Sequence, residues 1–162
     1  MQSLGINIGS TSLKMVLFDA EKPEKNSGLV WSATVPHEGD FGAATRKLLI
    51  DGNVPLGTPT LVTGNEGRFM FDAAGTLEPL CVEAALKALG LSADAVVSMG
   101  GEDLVVYKLD KTGKIINNFS GNKCASGTGE FLKQQLARMD MKLEDIDKVP
   151  DPAKVYPLSS RC

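Results

Sequence analysis

Two glycine-containing polar turns hold the residues of this chain that are best suited to chemistry. They read Gly9-Ser10-Thr11-Ser12, with Lys14 close behind, and Gly100-Gly101-Glu102-Asp103. Glycine lets backbone amides turn outward or approach a ligand, and phosphate oxygens accept hydrogen bonds from such amides, from hydroxyls and from an ammonium group. Either turn alone is better explained as an ordinary hairpin with polar turn residues. The presence of two such turns favours a clamp for the phosphates of a nucleotide.

The segments around the two turns repeat each other. Residues 4–19 and 95–110 both read as an apolar strand, a tight polar turn and a second apolar strand. Gly9 aligns with Gly100, and Asn7 with Ser98, at an offset of 91 residues (100 − 9). A repeat of this length exceeds a solenoid unit and fits a duplicated domain core. Neither turn matches the glycine-lysine P-loop or the dinucleotide fingerprint, so those nucleotide-binding classes are set aside.

The elements that must position these turns are predicted from apolar periodicity and from the Gly, Pro and Asn residues between apolar runs. The first set is three strands, a helix, a strand and a helix, over 4–9, 13–19, 28–35, 39–51, 59–63 and 80–89. The second set is three strands and a helix, over 94–99, 103–109, 114–118 and 128–139. The order β-β-β-α, present twice, predicts an α/β fold of mixed sheets covered by helices. We expect a first domain over 1–92 and the beginning of a second over 93–162.

Composition restricts the class of protein. The 162 residues are 43% hydrophobic with a formal net charge of −3, which argues against an electrostatic nucleic-acid binder. Apolar runs are too short to span a membrane and no signal peptide is visible, so a cytoplasmic protein is expected. The three cysteines, at 81, 124 and 162, show no disulfide pattern and are expected to be reduced thiols or metal ligands. The single histidine, His37, is expected only to pack locally.

Cys124 lies in a glycine-rich loop just ahead of the helix predicted over 128–139. The positive end of a helix dipole favours the thiolate, which is the form of cysteine that ligates iron. A free cysteine in a loop is the alternative for a lone cysteine.

The flanking sequence favours the iron ligand. Residues 122–129, NKCASGTG, followed by Phe131 and Leu132, resemble the Lys-Cys-Ala-Ala-Gly-Thr-Gly segment of the 2-hydroxyacyl-CoA dehydratase activators and benzoyl-CoA reductase ATPase subunits. The resemblance implies the ribonuclease H-like fold of actin, Hsp70 and the sugar kinases. It also implies a homodimer that shares one 4Fe-4S cluster, held by two cysteines from each chain, and that couples ATP hydrolysis to low-potential electron transfer.

The same resemblance implies roles for particular residues. Cys124 corresponds to the first cluster ligand and Cys162, after Ser159-Ser160-Arg161, to the second, whereas Cys81 corresponds to none and is expected to be core. ATP and Mg²⁺ would bind at the two turns. The implied partners are an acyl-CoA dehydratase or reductase and a low-potential electron donor.

The chain departs from the family where each first strand meets its turn. The family carries Asp where this chain has Asn7 and Ser98, and Gln where it has Glu102. Such acids hold Mg²⁺ through water and orient the attacking water, so their loss is expected to weaken both functions. Asp103 and Glu102 remain as nearby acids, so the catalytic candidates are Asn7, Ser98 and Asp103. The adenosine-binding part of the fold is expected beyond residue 162, which leaves an incomplete ATP site.

One further segment matches the family. Residues 63–69, TGNEGRF, resemble its Thr-Gly-x-Gly-Arg loop and are predicted to line the cleft; a solvated turn with Arg68 in a surface ion pair is the alternative.

The sequence therefore indicates the N-terminal portion of an ATP-dependent iron-sulfur activator. Two alternatives stay open. Loss of both acids fits a non-catalytic scaffold module of a larger redox protein. A small-molecule kinase of the acetate or sugar type fits Asn7 and the Ser10–Lys14 turn, although such a kinase has no need of Cys124.

Overall fold

The computed structural model describes residues 1–21, 28–64, 67–101, 103–121, 129–150 and 154. A mixed sheet of five strands forms the first part, in the order β3-β2-β1-β4-β5. Its strands are β1 (Gln2–Ile8), β2 (Ser12–Asp19), β3 (Leu29–Pro36), β4 (Thr60–Thr63) and β5 (Ala74–Gly75). The meander β1-β2-β3 is antiparallel, whereas β4 lies parallel to β1 and β5 parallel to β4.

Alternation along the first hairpin builds the core under this sheet. Alternate residues of the hairpin are buried, so one face of it packs against the core; the buried apolar residues are Leu4, Ile6 and Ile8 of β1 and Leu13, Met15 and Leu17 of β2. Helix α1 (Phe41–Asp51) packs on that face through Ala44 and Leu48. Asp40 caps α1 by accepting a hydrogen bond from the Ala43 amide at 2.9 Å.

The second part contains helix α2 (Glu78–Leu89), a sheet of three antiparallel strands and helix α3 (Gly129–Arg138). The strands are β6 (Ala95–Met99), β7 (Leu104–Leu109) and β8 (Ile115–Ser120). Gly90 ends α2 in the left-handed conformation, with φ of 62°. Two 3₁₀ helices, Gly67–Phe69 and Leu143–Lys148, complete the described elements.

The predicted repeat of the hairpins is confirmed down to their register. Asn7 pairs with Lys14 and Ser98 with Val105, so both partners are displaced by 91 residues (98 − 7 and 105 − 14). The Gly9 amide donates to the Ser12 carbonyl at 2.9 Å, and the Gly100 amide to the Asp103 carbonyl at 2.7 Å. Even the irregularity in pairing with the third strand recurs, between Leu17 and Phe18 and between Lys108 and Leu109.

The predicted strands and helices are all present, with ends shifted by one or two residues. β5 and the first 3₁₀ helix were not predicted, because two or three residues are too few to show a period. The described strands of the second sheet are all antiparallel. Among the described strands, only the first sheet is therefore mixed, whereas mixed sheets were predicted for both repeats. Among the helices of the described ranges, none is long and apolar enough to cross a membrane.

Candidate functional site

The two polar turns lie against each other. A Cβ atom placed on Gly101 would come within 2.7 Å of both Oγ1 and Cγ2 of Thr11. Any side chain larger than hydrogen at position 101 would therefore require the Thr11 side chain or one of the turns to move. The structure thus brings together the two segments that were predicted to clamp a nucleotide.

Polar groups surround the first turn. Lys14 Nζ donates to Ser12 Oγ at 3.1 Å, and a Cβ placed on Gly9 would lie 3.6 Å from Lys14 Nζ and 3.9 Å from Asn7 Oδ1. An ammonium group, an amide and a hydroxyl therefore gather beside a glycine backbone, which is suitable for phosphate oxygens. The same donors do not fit a metal ion held by the protein, since Asn7 is neutral and Lys14 repels a cation.

The end of β4 lies beside this turn. Thr63 pairs with Asn7 in the parallel ladder, and its buried hydroxyl has no hydrogen-bond partner among the described residues. The next residue, Gly64, has φ of 112°, and any side chain there would clash with the Ile8 carbonyl. Thr63 and Gly64, the first two residues of the segment predicted to line the cleft, therefore lie at the same end of the sheet as the first turn. Arg68 instead stacks on the Phe69 ring at 4.6 Å.

A carboxylate that sequence reasoning missed lies beside the second hairpin. Ser98 Oγ donates to Glu78 Oε1 at 2.9 Å, so the first residue of α2 is held against the strand that enters the second turn. Burial, and secondarily the charge of Glu78, raises the pKa of the Tyr107 hydroxyl above its usual value. The sequence offered little signal for Glu78, which precedes the helix predicted over 80–89 by two residues.

Helix α3 is attached directly to the second turn, because the Gly129 amide donates to the Gly100 carbonyl at 3.0 Å. Asp103 is partly buried and closes the same turn through its carbonyl. Glu102, Cys124 and Cys162 lie outside the described residues. Cys81 is partly buried on α2, and no cluster of three or more metal-ligating side chains occurs in the portion of the chain that is described.

His37 does more than the local packing expected of it. It is only 7% exposed, its ring lies 4.2 Å from the Phe41 ring, and its Nε2 lies 3.1 Å from the Gly9 carbonyl oxygen. It thus contacts the first turn from the far end of β3.

Comparisons with known proteins find activators of acyl-CoA dehydratases among the relatives of this chain. The activator of lactoyl-CoA dehydratase from Anaerotignum propionicum is 28% identical over 165 residues, which cover 100% of this chain and 63% of that protein. A solved structure, the activator of the 2-hydroxyisocaproyl-CoA dehydratase from Clostridium difficile with bound ADPNP, is 25% identical with a TM-score of 0.74, covering 90% of this chain and 55% of that one. Component A of the (R)-2-hydroxyglutaryl-CoA dehydratase from Acidaminococcus fermentans shares the fold, with 24% identity and a TM-score of 0.78 over 99% of this chain and 62% of that one. No protein-family model matches the chain.

These structures define the class: the fold is the ribonuclease H-like fold of actin, Hsp70 and the sugar kinases, as predicted. Within that class the chain is a relative of the activators of 2-hydroxyacyl-CoA dehydratases, which confirms the resemblance seen in its motifs. The chain spans less than two thirds of the length of these relatives.

Proposed function

We propose that the chain is the N-terminal portion of an ATP-dependent reductive activator of an acyl-CoA dehydratase or reductase. The observation that carries the proposal is the contact between two hairpins of identical register, at Thr11 and Gly101. Two glycine turns that face each other present amides and hydroxyls to one ligand, and a nucleotide phosphate chain matches that arrangement. The relatedness to dehydratase activators supports the same activity. A first domain over 1–92 and an incomplete second domain over 93–162 belong to this proposal.

In this proposal the first turn binds phosphate through its own groups. The backbone and hydroxyls of Gly9, Ser10, Thr11 and Ser12 hydrogen bond to phosphate oxygens, and Lys14 supplies the positive charge. The second turn contributes Gly100, Gly101 and Glu102. Since Asn7 and Ser98 offer no charge to a metal, any Mg²⁺ would be held mainly by the nucleotide.

Glu78 is our candidate for the carboxylate that orients the attacking water. Ser98 cannot accept a proton at neutral pH, but its hydroxyl holds Glu78 at the strand end where the family carries an acid. Asp103, in the second turn, remains the other candidate, with Asn7 as a neutral partner on the opposite hairpin.

Cys124 and Cys162 are proposed to hold a 4Fe-4S cluster shared by two copies of the protein. When bound, the cluster would supply a low-potential electron for a partner dehydratase or reductase, after reduction by a low-potential donor. The hydrogen bond between Gly129 and Gly100 supports a coupling between the two sites, because a movement of the second turn moves the helix that follows Cys124.

Anaerobic reconstitution with iron and sulfide, read by visible and EPR spectroscopy, tests the proposal. We expect Cys124→Ser to abolish the cluster, and Cys162→Ser to do the same, because the thiolate ligands are lost. Cys81→Ser, a change to a partly buried thiol on α2, is the control and should load fully. Full loading of the Cys124→Ser variant would exclude Cys124 as a ligand, and failure of the wild-type protein to load any iron and sulfide would exclude the redox role.

That result would favour a second function, a scaffold module without catalysis. The absence of a carboxylate at both Asn7 and Ser98 favours this alternative. A scaffold would show neither a cluster nor an effect of ATP on its amide spectrum.

A further inference from the structure

We infer that His37 is a positioning residue that aligns the first turn for phosphate binding. It lies just beyond β3 and reaches the turn at two points. Nε2 is 3.1 Å from the Gly9 carbonyl oxygen, and the His37 amide donates to the Thr11 carbonyl at 3.4 Å. The identity of the ligand as a phosphate rests on the function proposed above, whereas the alignment of the turn by His37 does not.

The neighbours of the imidazole determine which nitrogen carries the proton. The Gly39 amide donates to Nδ1 at 3.1 Å, so Nδ1 is an acceptor and the proton of the neutral ring is on Nε2. Nε2 therefore donates to the Gly9 carbonyl. The Phe41 ring, at 4.2 Å and 32°, packs against the imidazole and restrains its orientation.

Holding these two carbonyls fixes the direction of two amides. In a trans peptide the N–H of the next residue points opposite to the carbonyl, and the described chain has no cis peptide bond. Because the Gly9 and Thr11 carbonyls accept hydrogen bonds from His37, the N–H groups of Ser10 and Ser12, which belong to the same two peptides, point away from it. Backbone amides held in a fixed direction at a turn are groups that bind anions.

The second hairpin holds the equivalent carbonyl in a different way. Gly100, which is Gly9 displaced by 91 residues (100 − 9), accepts from the Gly129 amide at 3.0 Å. The equivalent carbonyl is thus held by a hydrogen bond in both repeats, from the His37 side chain in the first and from the N-terminus of α3 in the second. Only the first anchor can be removed by substitution without disturbing a helix.

Two variants separate the hydrogen bonds of His37. Glutamine places an amide nitrogen where Nε2 lies and can still donate to Gly9, whereas asparagine places its oxygen near Nδ1 and can accept only from Gly39. We expect ATP affinity, measured by NMR titration of the Ser10 and Ser12 amides, to stay within about twofold of wild type in His37→Gln. In His37→Asn we expect about five- to tenfold weaker binding, the usual effect of one lost hydrogen bond.

Unliganded spectra distinguish failure of this inference from failure of the proposed function. The Ser10 and Ser12 amide shifts should coincide in wild type and His37→Gln and differ in His37→Asn, whether or not ATP binds. Equal shifts in all three proteins, or equal changes in both variants, would overturn the positioning role. Wild type alone gives an independent check, since a ring proton found on Nδ1 rather than Nε2 in a long-range ¹H–¹⁵N spectrum would also overturn it.

Discussion

At the scale of single residues, the second hairpin shows how a neutral side chain can place a charged one. Ser98 carries no acidic group, yet its hydroxyl oxygen lies 2.9 Å from Glu78 Oε1. Both residues are partly buried, so the hydrogen bond is shielded from full competition by water. Inserting the family's Asp at this position would therefore bring two carboxylates together instead of simply restoring an acid.

Ser98→Asp should destabilise the chain at pH 7. It replaces a donor to Glu78 by a second negative charge, and we expect a loss on the order of 1 kcal/mol in the free energy of unfolding. Protonating either carboxyl relieves the repulsion, so the loss should shrink as the pH falls to about 4. Urea denaturation at several pH values measures it.

Ser98→Asn is the matched control, because its uncharged amide can still donate to Glu78. Equal stability of the Asp and Asn variants at pH 7 would show that Glu78 is not held as the structure places it.

At the scale of elements, the turn between β7 and β8 is built around one carboxylate. Asp110 Oδ1 accepts from the Thr112 hydroxyl at 2.7 Å, the Thr112 amide at 2.8 Å and the Lys114 amide at 3.0 Å. The Thr112 hydroxyl first, and then the Lys114 and Thr112 amides, hold the pKa of Asp110 below its ordinary value of 3.8. Gly113, with φ of 81°, completes the turn.

Asp110→Asn should weaken this hairpin at neutral pH and have no effect in acid. A carboxylate whose pKa is lowered by folding stabilises fully above its unfolded pKa and loses that contribution as the pH falls through the folded value. Wild type and variant should therefore differ in denaturation midpoint at pH 7 and converge below pH 3.8. Asp72→Asn, a change to an exposed carboxylate, is the control, and a difference that persists unchanged in acid would contradict the assignment.

At the scale of the whole molecule, one contact joins the two repeats at the candidate nucleotide site. Gly101 touches Thr11, and the α3 amide of Gly129 reaches Gly100 behind it. These contacts run in order from the first turn to the second turn and on to α3.

Gly101→Ala should weaken the contact between the turns. Its methyl group would come within 2.7 Å of the exposed Thr11 side chain, which must move, and we expect a loss of about 1 kcal/mol in the free energy of unfolding, the lower end of the cost of overpacking. Thr11→Ala removes both clashing atoms, so the double variant should recover part of the loss. A thermodynamic cycle of the four proteins measures the coupling.

Gly121→Ala is the control, since its nearest neighbour would be at an ordinary 3.8 Å. Additive effects of Gly101→Ala and Thr11→Ala would contradict the contact between the turns.

The sequence by itself determined the two hairpins, their offset and the α/β class. These features are local, because alternating apolar residues, a glycine turn and a helical period can each be recognised within about ten consecutive residues. The motif around Cys124 and the two turns also carried the family resemblance, which the relatives confirm. The cluster ligands themselves stay a prediction.

Only the tertiary structure decided which side chains complete the site. Glu78 and Ser98 are 20 residues apart, and His37 and Gly9 are 28 apart, so no local period relates them. Their contacts arise because the first residue of α2 lies beside β6 and because the end of β3 returns to the first turn. A lone histidine and a glutamate in the first turn of a helix have many equivalent roles in a sequence, and packing selects one of them.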